Sequence, residues 1–388
     1  MPDQPYEYRL LTSLAEVEAS AWDALVTNLP GSNPFLSHAF LHALHMSGSA
    51  TADTGWLPQF ITLWQGKQLE AAMPLYLKEH SYGEYVFDWA WADAYHRHGL
   101  EYYPKLLSAI PFTPVSGPRL LARDEAGRQA LIARLQELQV DMGLSSTHIL
   151  FPLPEEAQAL QQAGFLLRNG VQFHWLNRGY ADFEDFLSSL EAKKRKNIRA
   201  ERRKVQEAGI VFRHLSGREA KEQHWAFFKR CYDRTYAEHR STPYLSLDFF
   251  LRLASSLPDN ILLVLAERDN KPIAASLFIH DQKAIYGRYW GAVEHHSCLH
   301  FEAAYYQGIE FCIRNRIPSF EGGAQGEHKL ARGFEPQQTW SAHSLAHPAF
   351  AEAVERFLER ESEGVAHYIS ELNDHLPFRI NSLPPPVK

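Results

Sequence analysis

The densest gathering of reactive side chains in this sequence is Glu321–Pro336, EGGAQGEHKLARGFEP. Glu321, Glu327, His328, Lys329 and Arg332 place carboxylates, an imidazole and two cations in one short stretch, and Gly322, Gly323, Gly326 and Gly333 let a backbone approach a ligand closely. Those side-chain types suit acyl transfer. A nucleophilic amine must pass a proton to a carboxylate or imidazole, and the tetrahedral oxyanion must be held by cations or N–H groups. On that chemistry Glu327 or His328 accepts the proton, Lys329 and Arg332 neutralise the donor or the oxyanion, and Glu321 contacts substrate. Tyr289 is the candidate acid for the leaving group. The same composition also suits a solvated surface loop, and spacing alone does not choose between them.

A second concentration is basic. Eight of the twelve residues from Lys193 to Lys204 are Lys or Arg. On a helix Lys196, Arg199 and Arg203 share a face able to grip several phosphates or another anionic partner. The alternative is a solvated helix that repels itself. A third candidate surface is Trp89-Ala90-Trp91-Ala92-Asp93-Ala94-Tyr95. There Trp89, Trp91 and Tyr95 could line a substrate and Asp93 could orient a polar group, with core packing as the alternative. Arg119, in the proline-punctuated connector 111–121, is a further candidate substrate contact. The run Glu294–His300 holds three histidines but neither HExxH nor paired CxxC, so no metal is expected. No P-loop, GxSxG or GxGxxG occurs, which argues against kinase, hydrolase and dehydrogenase chemistry.

The elements that would position these residues repeat. Residues 59–91 and 260–292 each read as three strand-like runs, and each is followed by a segment read as a helix with a Tyr-Tyr pair, Tyr102-Tyr103 and Tyr305-Tyr306. The Ala71-Ala72 and Ala274-Ala275 landmarks lie at the same offset of 203 residues. A duplicated αβ unit sharing a cleft follows, divided at 1–179 and 180–388. Tyr85–Trp91 is read as the third strand of the first meander, 99–110 and 125–142 as helices, and 165–176 as a closing strand. The second half opens on one long basic helix, 183–208, and carries an irregular polar segment at 322–338 before a last helix at 348–372. Pro384–Pro386 reads as a frayed tail.

Composition is that of a globular protein: 45% hydrophobic, 22% charged and a net charge of −7, which disfavours broad nucleic-acid binding outside the basic helix. Three scattered cysteines are expected to be free thiols. With neither a leader pattern nor a transmembrane run, a soluble, cytoplasmic protein is expected.

The strings DWAWADAY (88–95), YYPKLL (102–107), PFTPVSGPRLL (111–121), KKRKNIRAERRKV (193–205) and EGGAQGEHKLARGFEP (321–336) resemble a bacterial family of predicted N-acyltransferases, the FemAB-like or peptidoglycan biosynthesis/recognition proteins. The resemblance covers nearly the whole chain. It implies an α/β (α+β) fold of two tandem GNAT-like domains, each a mixed, mostly antiparallel sheet flanked by helices. It also implies transfer of an acyl or aminoacyl group to an amine. Within the wider family the donor is aminoacyl-tRNA in Fem ligases and acetyl-CoA in ordinary GNAT enzymes, so acyl-CoA and aminoacyl-tRNA both stand as donors. The acceptor is a small molecule or a cell-wall precursor, and tRNA would engage the basic helix. The GNAT pyrophosphate loop, Arg/Gln-x-x-Gly-x-Gly/Ala, is missing from 292–303, and no long helical-hairpin arm is evident. The competing expectation is a non-catalytic protein that recognises a cell-wall fragment or another anionic ligand.

Overall fold

The computed structural model describes residues 6–323 and 326–379; Ala324, Gln325 and the Pro384–Pro386 tail lie outside them. The first eight strands are β1 (Glu7–Leu11), β2 (Trp56–Pro58), β3 (Phe60–Gln65), β4 (Gln68–Met73), β5 (Tyr76–Lys78), β6 (Lys105–Ser108), β7 (Leu121–Ala122) and β8 (Ser146–Leu150). Then follow β9 (Leu166–Leu176), β10 (Val211–Leu215), β11 (Ile261–Arg268), β12 (Lys271–His280), β13 (Ala284–Ala292), β14 (Ser319–Glu321) and β15 (Phe334–Leu345). Two compact units form. One runs to Gly170 and includes Gln338–Ala366; the other is Val171–Gln337 with the chain from His367 onward. The units therefore differ from contiguous halves at 1–179 and 180–388, because each takes a strand from the other half of the sequence.

In the first unit, β1, β3, β4 and β7 form an antiparallel sheet. A second set runs in the order β2, β5, β6, β8 and the end of β15, with β6 and β8 parallel. Pro74 separates β4 from β5; a proline offers no N–H to a ladder, so the strand stops there and the two pieces join different sheets. The helix Glu125–Asp141, capped where Asp124 accepts from the Gly127 N–H at 2.8 Å, buries Leu131, Ile132 and Leu135 in one core with Ile61 and Met73.

In the second unit the order is β10, β11, β12, β13, β14 and the end of β9, with β13 and β14 parallel. The β11–β12 turn is Asp269-Asn270, both at positive φ (51° and 58°), the geometry a two-residue hairpin needs and short polar side chains tolerate. After β12, Asp281 Oδ1 accepts from the N–H groups of Lys283 and Ala284 and turns the chain into β13. The helix Glu222–Glu238 lies so close to β13 that a Cβ on Gly291 would sit 2.1 Å from the Cys231 carbonyl oxygen.

Several expectations fail for identifiable reasons. Tyr85–Trp91 is not a strand: residues 89–97 are helical, and Asp88 at the helix start is held by a buried lysine. Residues 99–110 hold β6 and no helix, so Tyr102-Tyr103 precedes a strand where Tyr305-Tyr306 lies in a helical segment. The basic helix is two helices, Phe183–Ser189 and Ala192–Glu207, interrupted where Leu190 bridges to Phe378. The polar segment 322–338 ends in β15, a strand whose Gln, Ser, Thr and His content hides its alternation. Cys231 and Cys312 are buried free thiols; Cys298 is partly exposed.

Candidate active site in the second unit

β13 pairs with β14 as far as Tyr286 opposite Glu321, then runs on six residues to Ala292 with no strand partner on that side among the described residues. One residue earlier in the sheet, the β12–β13 register slips between Leu277 and Phe278, which face Tyr289 and Gly287 and leave Arg288 as the extra residue of a bulge. The bulge bends β13 away and opens the parallel pair. A pocket of about 140 Å³ fills the opening, lined by Ser276–Phe278, Gly287–Trp290, His300, Ala304, Tyr305 and Gly322. Its helical wall is a π-helical turn, Glu302–Tyr306, a geometry that crowds side chains out of regular spacing.

The loop after β14 folds beside this pocket. Glu321 is largely enclosed; burial, only partly offset by Arg288, raises its pKa to about 8. Its Oε2 is buried with no hydrogen-bond partner among the described residues, and His174 Nε2 stands 4.0 Å away. Lys329 is buried, and burial with the nearby Arg288 charge lowers its pKa to about 7. Its ammonium donates to the Gly323 carbonyl at 2.8 Å and has no carboxylate partner among the described residues. His328 Nε2 lies 3.0 Å from the Tyr305 hydroxyl, whose pKa burial raises to about 12. Burial, with Arg332 and Lys329 adding to it, lowers the His328 pKa. Burial and the neighbouring cations bring His300 to about 4.

The remaining loop residues are structural or peripheral. Arg332 lies 3.4 Å over the Phe301 ring and donates to both oxygens of Glu201 at 2.9 and 3.0 Å; Glu201 also accepts from Tyr306. Glu327 is exposed and accepts from the Tyr368 hydroxyl at 2.6 Å. Tyr289 lines the pocket, with its hydroxyl pKa raised by burial against the lowering influence of Arg288. Of the sequence candidates, Tyr289 lines the pocket itself; Glu321 and the Lys329 side chain lie next to its Gly322, His328, though exposed, meets its Tyr305, and Glu327 is at the surface.

A family model for FemAB-like proteins, described as peptidoglycan biosynthesis/recognition, matches residues 13–380. The chain belongs to the FemAB-like family. Among solved structures it is similar to FemX at 10% identity and TM-score 0.54, over 90% of this chain and 100% of that one. L-PGS from Bacillus licheniformis matches at 10% identity and TM-score 0.53, over 88% and 97%. A tandem GNAT protein from the clavulanic acid biosynthesis pathway matches at 11% and 0.47, over 88% and 99%. No protein of curated function matches in sequence. The fold is of the expected α/β class, with sheets and helices in both units. No helix among the described residues is long and apolar enough to cross a membrane.

In the first unit of this FemAB-like protein the sequence candidates are mostly committed to the core. Trp91 is buried against His343 and His148, and Tyr95 against Tyr102 and Phe350. Neither ring lines a substrate surface. Asp93 is exposed and ion-paired to Arg97. Trp89 is exposed, beside Tyr82 and Phe87. Arg119, read from the sequence as a substrate contact, is instead a strut: it has no exposed surface and donates to the carbonyls of Val115, Gly117, Pro118 and Leu150. Burial lowers its pKa to about 10, against the pull of Glu156.

What sequence reading missed in this unit is a buried polar network. Lys105 donates to Ser81 at 2.8 Å, Glu84 at 2.9 Å and Asp88 at 2.5 Å, and Asp88 also accepts from Tyr102 at 2.6 Å. Burial opposes the Lys105 charge, but the two carboxylates outweigh it and its pKa is raised. Burial also opposes the Asp88 charge, yet Lys105 and His148 hold that carboxyl well below its usual range. His148 Nδ1 lies 2.7 Å from His343 Nδ1, so one ring donates and the other accepts; burial lowers both pKa values. No spacing in the sequence announces these partners, which come from four separate segments.

On the basic helix, Ile198 and Val205 face inward and Arg202 is drawn to Glu302 and Glu310. Arg199 pairs with Glu184 at 2.5 Å and Arg203 lies 3.8 Å from Glu207, both exposed. Lys196 is exposed, with no ion pair recorded among the described residues. Part of the positive face is therefore neutralised within the chain.

Proposed function

We propose that this FemAB-like protein transfers an acyl or aminoacyl group to an amine acceptor at the opening between β13 and β14. One arrangement carries the reading: Gly322, which lines the pocket, follows Glu321 in the chain and packs against the Lys329 side chain, and burial moves the pKa of both groups toward neutrality, where a group can exchange protons during a reaction. The acceptor nitrogen attacks the acyl carbon and forms the new amide bond, while the bond from that carbon to the donor sulfur or ribose oxygen breaks. Glu321, in its ionised form, takes the proton the nitrogen must lose. Lys329, with Gly322 beside it, supports the oxyanion, and Tyr289 returns a proton to the leaving group. His328 keeps a secondary place through Tyr305. Glu327, tied to Tyr368 in solvent, takes no proton from the acceptor.

The donor carries phosphates under this reading. The segment before the helix at Leu299 has no glycine to cradle a pyrophosphate, whereas Lys196 keeps an exposed charge on a helix beside Arg199 and Arg203, which favours aminoacyl-tRNA over acyl-CoA. The acceptor, from the family description, is a cell-wall precursor. The pocket, at about 140 Å³, suits a short acyl or small aminoacyl group.

The test is transfer of label from acyl-CoA or aminoacyl-tRNA to a panel of amines, with wild type, Glu321→Gln and Glu327→Gln side by side. Transfer lost in the first variant and kept in the second supports the assignment. Binding without turnover by the wild type would leave a recognition protein, the reading that the missing phosphate loop favours. For the donor, tRNA affinity should fall steeply with salt and with charge reversal at Lys196 and Arg199; affinity insensitive to both would return that helix to a solvated surface.

A further inference from the structure

The first unit holds a larger cleft, about 740 Å³, that the transfer reading does not use. Its walls are the helix Pro154–Gln162, the start of β9, Trp340 of β15 and the Glu355–Ser362 stretch of the helix Pro348–Asp374. The size is that of a small-ligand site. Two properties of the lining select the ligand. Its floor is apolar, with Phe165 and Leu358 both buried, and its charge is of one sign: Glu355 and Glu359 line it and no lysine, arginine or histidine does.

Glu355 and Glu359 lie one turn apart on the exposed face of their helix, where like charges repel. Neighbouring carboxylates on the same helix are paired, Glu352 with Arg356 and Glu361 with Arg168. Glu355 and Glu359 have no ion pair among the described residues. Trp340 borders the same space, with no ring contact recorded among the described residues, so its indole can receive a cation. A phosphate-bearing ligand is disfavoured by the sign of the charge, and a plain hydrocarbon leaves the carboxylates without use.

We propose that this cleft binds the terminal ammonium of a linear aliphatic amine, with the alkyl chain over Phe165 and Leu358 and the ammonium between Glu355, Glu359 and the Trp340 ring. Two sources present that chemistry, a free polyamine and a lysine side chain in a basic peptide. The inference does not depend on the transfer reading, since its site, its residues and its readout are separate.

Isothermal titration of the full chain at low salt tests it with three probes: spermidine, tri-lysine and a neutral diol of matching length. Saturable binding of either amine, weaker as salt rises and absent for the diol, supports the site, and the amine that binds identifies the source. The double variant Glu355→Gln/Glu359→Gln should weaken that binding about tenfold, and Trp340→Leu by a few-fold. Both glutamates are exposed, so the double variant should melt like the wild type and its result concerns the ligand. The proposal is overturned if neither amine binds at millimolar concentration, if the diol binds as well, or if the double variant binds unchanged.

Discussion

The two units solve one architectural problem in opposite ways. Each contains a short parallel strand pair, β6 with β8 and β13 with β14, and each has polar residues beside it. In the first unit the polar groups satisfy one another: Lys105 has three acceptors, Asp88 three donors, and His148 and His343 each other. Glu84 Oε1, Ser108 Oγ and Thr147 Oγ1 are exceptions, buried with no hydrogen-bond partner among the described residues, and burial raises the Glu84 pKa to about 7. In the second unit Glu321 Oε2 is unpartnered and Lys329 holds a single carbonyl, with both pKa values displaced toward neutrality. A satisfied buried network rigidifies, whereas an under-satisfied one stays available to a substrate. The divergence begins at one position. The 203-residue offset sets Pro74 against Leu277; in the first copy the proline ends a strand, and in the second the strand continues through a bulge that opens the pocket.

The largest expected effect breaks that comparison on the structural side. Lys105→Met would leave Asp88 and Glu84 buried without their cation and should cost about 3–5 kcal/mol in urea unfolding, enough to threaten folding. Lys329→Met removes a buried amine with no carboxylate partner among the described residues and should not lower stability while abolishing transfer. The reverse ordering in unfolding experiments would invert the roles given to the two units.

pH sharpens the same contrast. The Glu321 pKa of about 8 in the folded state lies above its ordinary value of 4.5, so its contribution to stability is full below about pH 4.5 and is lost as pH rises through about 8. Lys329 has the opposite sign: its pKa falls from 10.5 to about 7, so its contribution is present above about pH 10.5 and is lost as pH falls through about 7. Glu321→Gln should therefore raise the melting temperature at pH 9 relative to wild type and leave it little changed at pH 4. Equal shifts at both pH values would show that the carboxyl is not buried as described.

The smallest effects concern the supports of the loop. Tyr305→Phe removes the hydroxyl that meets His328 and should lower transfer by about tenfold with a near-normal melting curve. Tyr368→Phe removes the bond to exposed Glu327 and should cost at most about 1 kcal/mol, with transfer kept. Greater damage from the Tyr368 change than from the Tyr305 change, read in initial rates, would restore Glu327 to the reaction.

The legible and illegible parts of this protein divide along physical lines. The second meander could be read because its turns carry their own chemistry, Asp269-Asn270 and Asp281, and its first two strands are nearly continuous apolar runs. In the first meander the aromatic run at Tyr85–Trp91 has strand-forming composition, but Asp88 is fixed by Lys105 from a distant segment and a helix follows. β15 went unread because its polar side chains meet buried partners such as His148, which no local pattern shows. At the site, the stretch 321–336 stood out by composition, yet composition could not rank Glu321 above Glu327. Burial separates them, and burial depends on a strand, a π-helical turn and a bulge brought together by the fold. Arg119 was misread for the same reason: a charged side chain in a loop gives no sign that backbone carbonyls surround it.

The central claim is that the second unit's opening performs transfer with Glu321 as the proton acceptor. Its most direct test is the pH dependence of single-turnover transfer, with wild type and Glu321→Gln measured from pH 6 to 9 using the donor that supports turnover. Because the step needs Glu321 ionised and Lys329 protonated, the account predicts a wild-type rate that rises from pH 6 to a maximum between about pH 7 and 8 and then falls, and a variant slower by about a hundredfold or more, with the rising limb gone. A variant that keeps the wild-type rate and the same pH profile would contradict it.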